Sequence, residues 1–429
     1  MKRILLAGML ILLCVVCSAC GSKKPEAKEE AGFKPALDTK TSCEIKVAGT
    51  YANFEALEAE FDSFNRIYPN VVLSYVKLDD YNNIIGTALE GSDAPNIYFT
   101  FFWMYEKEQY EACLAHAEDL SDPKLGLELA AFRPGLLSRR EAGRLDMLPV
   151  FSSTNGMLVN EDLFKKEGLT VPETYPELLQ VCSEFQKKGY QSPVMCYLGE
   201  ASQTSLISFG LPVFCGSIYQ EEGAVEKLVR MEPGCGEYAR PALERMHELI
   251  EKGYLNPEEC GKIADSYNKV ILRFFEGDVP MMICAGDVVS GTKKRESQSE
   301  TFTAKPFTYS FIPVPADETG AYFIDTPNVE FSVNRDCANL DMTNEFMRFL
   351  MSAQELNKMA QIKRLPTVTT DLSFDSVYAP FGKIPESRII SEEGINLKDN
   401  VVVQLRKALY AVALEGISVD EAVRDFTTR

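Results

Sequence analysis

The chain has 429 residues, with 44 basic against 63 acidic side chains and a formal charge of −19. At about 100–200 residues per domain, that length makes roughly two to three domain-sized units. A composition of 45% hydrophobic and 25% charged residues excludes a disordered or fibrous chain. The acidic balance argues against nucleic acid as a partner, because phosphate binding needs positive surface to release counterions. With only two histidines, His116 and His247, His-based catalysis and His-rich metal sites have little to build on.

Lys2 and Arg3 precede an apolar run from Ile4 to Val16, too short for a comfortable membrane span and suited to a signal-peptide core. Ser18, Ala19, Cys20, Gly21 and Ser22 then resemble a bacterial lipobox, with Cys17 where leucine is usual. The resemblance implies cleavage before Cys20 and a diacylglycerol on its thiol. Conventional secretory cleavage near Ala19 is the alternative. Two acyl chains anchor stably where one does not. Residues 1–19 are therefore expected to be a lipoprotein signal peptide and Cys20 the lipid anchor, on the extracytoplasmic face of a bacterial cell membrane. Residues 20–40, rich in Lys, Glu, Pro and Ala, read as a flexible tether.

Of twelve cysteines, Cys14 and Cys17 leave with the signal peptide and Cys20 is lipidated, so nine remain and at least one is unpaired. None forms a CxxC pair, and several sit in apolar runs such as Val194–Tyr197 and Met282–Ala285. Zinc sites want close pairs, so buried free thiols are expected, with no metal and no cofactor.

Alternation at Ile45 and Val47 predicts a strand over 44–48. Phe54, Leu57, Phe61, Phe64 and Ile67 give one apolar helical face ending at Pro69. Residues 71–76 read as a second strand, 80–90 as a helix and 97–101 as a third strand, a βαβ order that predicts a parallel sheet. Strands follow over 145–150 and 156–159, split by the polar stretch Ser152–Asn155. Thr174-x-x-Glu177 is a capping box with Pro176 in the first turn. Pro241 opens a helix that Gly253 closes. Residues 279–284 read as a strand, and 341–360 as two helices, the second capped by Ser352 and Glu355. Ser418-x-x-Glu421 opens the last helix. The pattern is α/β in two lobes.

Several of these segments together resemble the sugar-binding family 1 of extracellular solute-binding proteins of bacterial ABC importers. They are Tyr68-Pro69-Asn70-Val71, Ala94-Pro95-Asn96-Ile97 and Leu148-Pro149-Val150 through Asn155–Asn160. Val171-Pro172-Glu173-Thr174, Phe275-Glu276-Gly277 with Pro280-Met281-Met282, Phe346–Leu350 and Gly416–Ala422 complete the set. The resemblance spans residues 43–425. It implies a periplasmic-binding-protein-like fold of type II, with the ligand in a cleft between lobes joined by chain crossings near 151–155 and 325–330. Lobe one is then expected over 41–152 plus 328–365, and lobe two over 153–327 plus 366–429. Closure on the ligand would be what the membrane permease recognises.

The same resemblance turns Trp103 and Phe102, just past the third strand, and Tyr51, past the first, toward the cleft. Aromatic faces can stack on the C–H faces of sugar rings. Ser153 and Thr154 at the first crossing can hydrogen-bond from its floor, or serve only as hinge residues. Asp287 stands close to where sugar-binding relatives often carry tryptophan. It could accept hydroxyl hydrogen bonds, pair with a cation, or cap the following helix. Tyr322 and Asn328 are further candidates near the second crossing. The expected function is a monomeric, lipid-anchored, non-catalytic receptor that hands a carbohydrate to permease subunits. Alternatives are a receptor for another polar or cationic solute, a sensor with a regulatory partner, and a surface glycosidase. For the last, the acidic pairs Glu221-Glu222 and Glu392-Glu393 supply carboxylates, but no motif puts either pair in a cleft.

Overall fold

The computed structural model describes residues 32–200, 204–219, 221–262 and 267–428. The expected signal peptide, the lipidation at Cys20 and most of the tether lie outside them. No helix among the described residues is long and apolar enough to cross a membrane.

The first strand, Cys43–Gly49, buries Ile45 and Val47 completely and pairs in parallel with Val71–Lys77 and Ile97–Thr100. The helix Glu55–Asn65 turns Leu57, Phe61 and Phe64 inward, and Phe64 meets Phe346 and Phe349 of the later helix Leu340–Leu350. The sheet has five strands in the order Val71–Lys77, Cys43–Gly49, Ile97–Thr100, Glu330–Val333, Leu148–Pro149. Glu330–Val333 enters antiparallel, with Phe331 opposite Phe99. The sheet is therefore mixed, whereas the βαβ order predicts a parallel one. That order governs only the first three strands, and the other two arrive from distant parts of the chain.

A second sheet runs Val194–Met195, Met281–Ala285, Asn155–Asn160, Tyr309–Pro313. Its two central strands pair antiparallel. The capping box at Thr174 and Glu177 forms with both of its bonds. Ser352 holds the N-cap position of Ala353–Lys363 but makes no capping bond with its side chain, and Glu355 is drawn instead into an ion pair with Lys358. The helix Ile207–Ile218 carries no amphipathic signal because nine of its twelve residues are buried, Pro212 among them.

Between these sheets lies a small third one, ordered Ile389–Ser391, Phe323–Pro327, Ser152–Ser153. Ser152–Ser153 pairs antiparallel with Phe323–Pro327, Thr326 opposite Ser153. The polar stretch that reads as a break between strands is thus itself a strand. Its side chains are hydrophilic because of where it lies.

The segment Pro35–Lys40 has no regular structure, yet it is held. The Ala36 N–H donates to Glu345 Oε1 at 2.8 Å, and Tyr68 Oη donates to the same oxygen at 2.6 Å. Charge-assisted bonds of this kind explain why a stretch of tether composition docks. All nine described cysteines are thiols, seven of them buried, and the Cys196 and Cys260 sulfurs lie 4.0 Å apart.

Gly156 sits where a Cβ would fall 2.4 Å from the Ile312 carbonyl oxygen and 2.7 Å from the Phe311 ring. Backbone and a packed ring cannot both give way, so Gly156→Ala is expected to cost about 3 kcal/mol. Urea unfolding would read this as a lower midpoint with an unchanged slope.

Candidate functional site

The two crossings meet in a ladder that continues past the small sheet. The Val150 N–H donates to the Val329 carbonyl at 2.7 Å and the Asn328 N–H to the Phe151 carbonyl at 2.9 Å. Against this ladder lies a cavity of about 330 Å³, at the lower end of the roughly 300–1,000 Å³ usual for small-molecule sites. Phe102 and Trp103 wall one side. Ser153, Thr154, Thr326 and Asn328 come from the crossings, and Glu392 and Arg406 close another side.

Of the eight residues singled out from the sequence, five line this cavity: Phe102, Trp103, Ser153, Thr154 and Asn328. Trp103 is half-buried. Phe101 stacks on its indole, centroids 5.3 Å apart and planes 7° from parallel, and Tyr110 meets it edge-on at 5.5 Å. The Lys107 ammonium lies over the same ring at 4.5 Å and pairs with Asp399 at 3.3 Å. Asp399 opens the helix Asp399–Leu414, whose N-cap side chain makes no capping bond. Glu106 serves instead, accepting from the Asp399 N–H at 2.9 Å. Trp103 and the first turn of that helix are thus fixed together by the adjacent residues 106 and 107.

Tyr51 and Asp287 are not on the cavity wall. Tyr51 stands behind it, edge-on to Phe54 and Phe99, and donates to Asn328 Oδ1 at 3.5 Å. The Lys363 ammonium lies 4.7 Å from its ring. Burial first, then the charge of Asp287, raises the Tyr51 phenol pKa, so Asp287 is within electrostatic reach. Asp287 lies in the first turn of the short helix Gly286–Ser290, whose N-cap is Ala285, and is not itself the cap. Solvent reaches it, but the surrounding protein bulk raises its carboxyl pKa, and the backbone N–H groups of Val288 and Asp287 partly offset that. The helix starts hard against the first crossing: the Gly286 N–H donates to the Thr154 carbonyl at 2.8 Å. A Cβ on Gly286 would come within 2.9 Å of Ser153 Oγ and 3.0 Å of Tyr378 Oη. Tyr322 is engaged elsewhere, with the Arg388 guanidinium 4.5 Å over its ring.

Sequence reasoning gave Glu392 no place in a cleft, yet it lines this one. It is 5% exposed and accepts from Thr326 Oγ1 at 2.6 Å. Burial pushes its carboxyl up to about 7, with Thr326 and Arg406 pulling the other way and Glu393 and Asp399 adding to the rise. Nearby Glu330 is held well above the usual carboxylate range by complete burial and then by Glu393. Two polar atoms of the first crossing, Ser152 Oγ and Thr154 Oγ1, are buried without a protein hydrogen-bond partner. Thr154 is 2% exposed and on the cavity wall. Only the return of the chain at 389–406 brings Glu392, Asp399 and Arg406 here, and no local motif announces it.

Two mixed sheets joined by paired crossing strands, with a polar and aromatic cavity against the crossings, define a two-lobed solute-binding fold. The chain belongs to the bacterial extracellular solute-binding protein family, whose sequence profile matches residues 56–379. That membership places the protein outside the cytoplasm. Solved structures similar to it include RafE in complex with raffinose, 17% identical over 90% of this chain and 98% of that one, with a TM-score of 0.67. A sugar transporter protein from Bacillus licheniformis in complex with stachyose is 16% identical, covering 90% and 98% at a TM-score of 0.64. MalE from Xanthomonas citri is 16% identical, covering 90% and 96% at 0.68. These likenesses establish the fold. No curated protein matches the sequence.

The raised carboxyls make stability depend on pH. A carboxyl with an elevated native pKa keeps its proton where the unfolded chain has lost it, so the native state binds more protons and stability falls as pH rises. For Glu392 the loss runs from the ordinary carboxylate range up to about 7. Glu60, raised by burial and by Glu355, extends it to about 8. Urea unfolding at pH 5 to 8 is expected to show a steady decline, with Glu392→Gln making the part below pH 7 shallower and leaving the part above it.

Proposed function

We propose that the protein is a lipid-anchored receptor of an ABC importer that captures a carbohydrate between two lobes and presents it to the membrane permease, without chemistry of its own. The lobes are residues 41–152 plus 328–365 and 153–327 plus 366–429, and the anchor is the acylated Cys20. The observation that carries the carbohydrate reading is the mixed lining of the cavity. Aromatic surface from Phe102 and Trp103 faces hydroxyl, amide and carboxylate groups from Ser153, Thr154, Asn328 and Glu392. Such a lining suits a neutral solute with apolar ring faces and hydroxyl edges. Similar folds solved with raffinose and stachyose bound support it.

The cationic alternative draws on Glu392, Asp399 and Asp287. Asp399 is already paired with Lys107, and Arg406 shares the cavity with Glu392, so the balance of charge does not call for a cation. The glycosidase alternative needs two carboxyls flanking one bond. Release of chromophore from nitrophenyl glycosides, abolished by Glu392→Gln, would establish it in place of the receptor reading.

Thermal unfolding of the intact purified protein against saccharides, polyols, amino acids and polyamines tests the proposal. A ligand that binds only the folded state stabilises by about 2.7 kcal/mol at a hundred times its Kd, a rise of a few degrees at this size. Saccharides are expected to raise Tm, and a response confined to polyamines would replace the carbohydrate with a cation. Trp103→Ala is expected to weaken saccharide binding more than tenfold. Because Trp103 packs on Phe101 and Tyr110, the change should also lower unliganded stability by about 2 kcal/mol, less than for a fully buried ring. Unchanged affinity would take Trp103 out of the site.

A further inference from the structure

We infer that Glu392, working across the small central sheet from Ser153, is the residue that reads the hydroxyl pattern of the solute. The inference rests on the carbohydrate-receptor reading and assigns a specificity determinant within it. The register of the three strands places the two residues. Asp325 is opposite Ser391 and Thr326 is opposite Ser153, so Glu392, Thr326 and Ser153 follow one another across one face of the sheet. Two strand spacings separate the outer strands, about 9–10 Å of backbone. A sugar ring lying over Thr326 would meet the Glu392 carboxylate at one edge and the Ser153 hydroxyl at the other.

Glu392 and Thr154, which follows Ser153 on the cavity wall, both have capacity left for a ligand. Thr154 Oγ1 is buried without a protein partner, and such a hydroxyl can donate one bond and accept others. A carboxylate offers about four acceptor positions, and Thr326 Oγ1 occupies one at Glu392. An ionised carboxylate takes hydrogen bonds from hydroxyl donors more strongly than a neutral group does. Solute hydroxyls that donate to Glu392 therefore favour its charged form. Near neutrality, binding would draw the proton off Glu392 and release it to solvent.

The groups around Glu392 come from every element packed on it. They are Thr326 from the crossing strand, Glu393 beside it in sequence, and Asp399 and Arg406 from the helix Asp399–Leu414. Cys215 of the helix Ile207–Ile218 also feels its charge. Asp399 is paired with Lys107. Cys215 is fully buried and its thiol is held neutral by that burial. That leaves Glu392, its neighbour Glu393 and Glu330, which feels the charge of Glu393, as the groups free to titrate here, and of the three Glu392 is the one on the cavity wall.

Calorimetric titration with raffinose, stachyose and their component monosaccharides, from pH 5.5 to 8.5 and in buffers of different ionisation enthalpy, tests this. For the tightest of these sugars, affinity is expected to rise about tenfold between pH 5.5 and 8, the worth of one charge-assisted bond. Proton release should appear as a buffer-dependent heat. Glu392→Gln should lose both the pH dependence and the proton release and bind about tenfold more weakly. Thr154→Val should weaken binding while keeping the pH profile. If the glutamine variant does not fold, the wild-type pH profile and buffer dependence decide alone. Saccharide binding that is flat with pH and unchanged in Glu392→Gln would overturn the assignment and leave the receptor reading standing. Absence of binding by every sugar at every pH would overturn the carbohydrate reading, and this assignment with it.

Discussion

Where the chain passes between its two large sheets it does so twice, and the two passages hydrogen-bond to each other. Ser152–Ser153 runs antiparallel to Phe323–Pro327, and the ladder is prolonged by Val150 to Val329 and Asn328 to Phe151. The third strand, Ile389–Ser391, is laid alongside in parallel. Several residues at or beside the cavity are placed by reference to this ladder. Phe102 and Trp103 follow a strand that pairs with Glu330–Val333, itself the continuation of the second crossing. The helix at Gly286 begins on the Thr154 carbonyl. Glu392 is tied to Thr326. A shift of one residue in the crossing register would turn Ser153 away from the face that Thr326 occupies and dismantle the polar half of the site.

The electrostatics around the ladder run against the character of the whole chain. A formal charge of −19 is spread over a surface where carboxylates are solvated, but Glu330, Glu392 and Glu393 are gathered beside the crossings with their pKa values raised, burial being the first cause in each case. Carboxyls so placed are costly as ions and cheap as acids. The basic residues nearby do not neutralise them one for one. Lys107 and Lys398 reach toward Asp399 and Glu106 and so bind the segment after the third strand to the start of the helix Asp399–Leu414. This arrangement holds the Trp103 ring in place before any ligand arrives. A ring already stacked on Phe101 loses little freedom on contact, which is how preorganisation raises affinity.

Much of the fold was legible because periodicity and capping act over a few residues. The βαβ start, the capping box at Thr174 and the Ser418 cap follow from spacing that the folded chain keeps. The failures have one physical origin, the override of local signals by distant partners. Ser352 makes no capping bond, and Glu355, the other half of the expected box, pairs with Lys358 instead of reaching back. Ile207–Ile218 is apolar on all sides because it is buried on all sides. Within the polar stretch at 152–155, Ser152–Ser153 is strand because Phe323–Pro327 lies beside it.

The site divides in the same way. Residues that follow a recognisable strand, Phe102 and Trp103, could be placed near the cavity from the sequence, as could Ser153 and Thr154 at the first crossing. Tyr51 and Asp287 were assigned by the same logic and are not on this wall: Tyr51 bonds to Asn328, which is, and Asp287 lies two residues past Ala285, in the first turn of Gly286–Ser290. Glu392 was invisible for a different reason. As a sequence feature it is one of two adjacent glutamates in a polar loop, indistinguishable from Glu221-Glu222. What separates the pairs is burial, and burial here is decided by one parallel pairing between Ile389–Ser391 and Phe323–Pro327. A short strand of three residues carries almost no propensity signal of its own. Its register nevertheless converts an ordinary surface acid into a buried one with a raised pKa, hydrogen-bonded across the floor of the cavity.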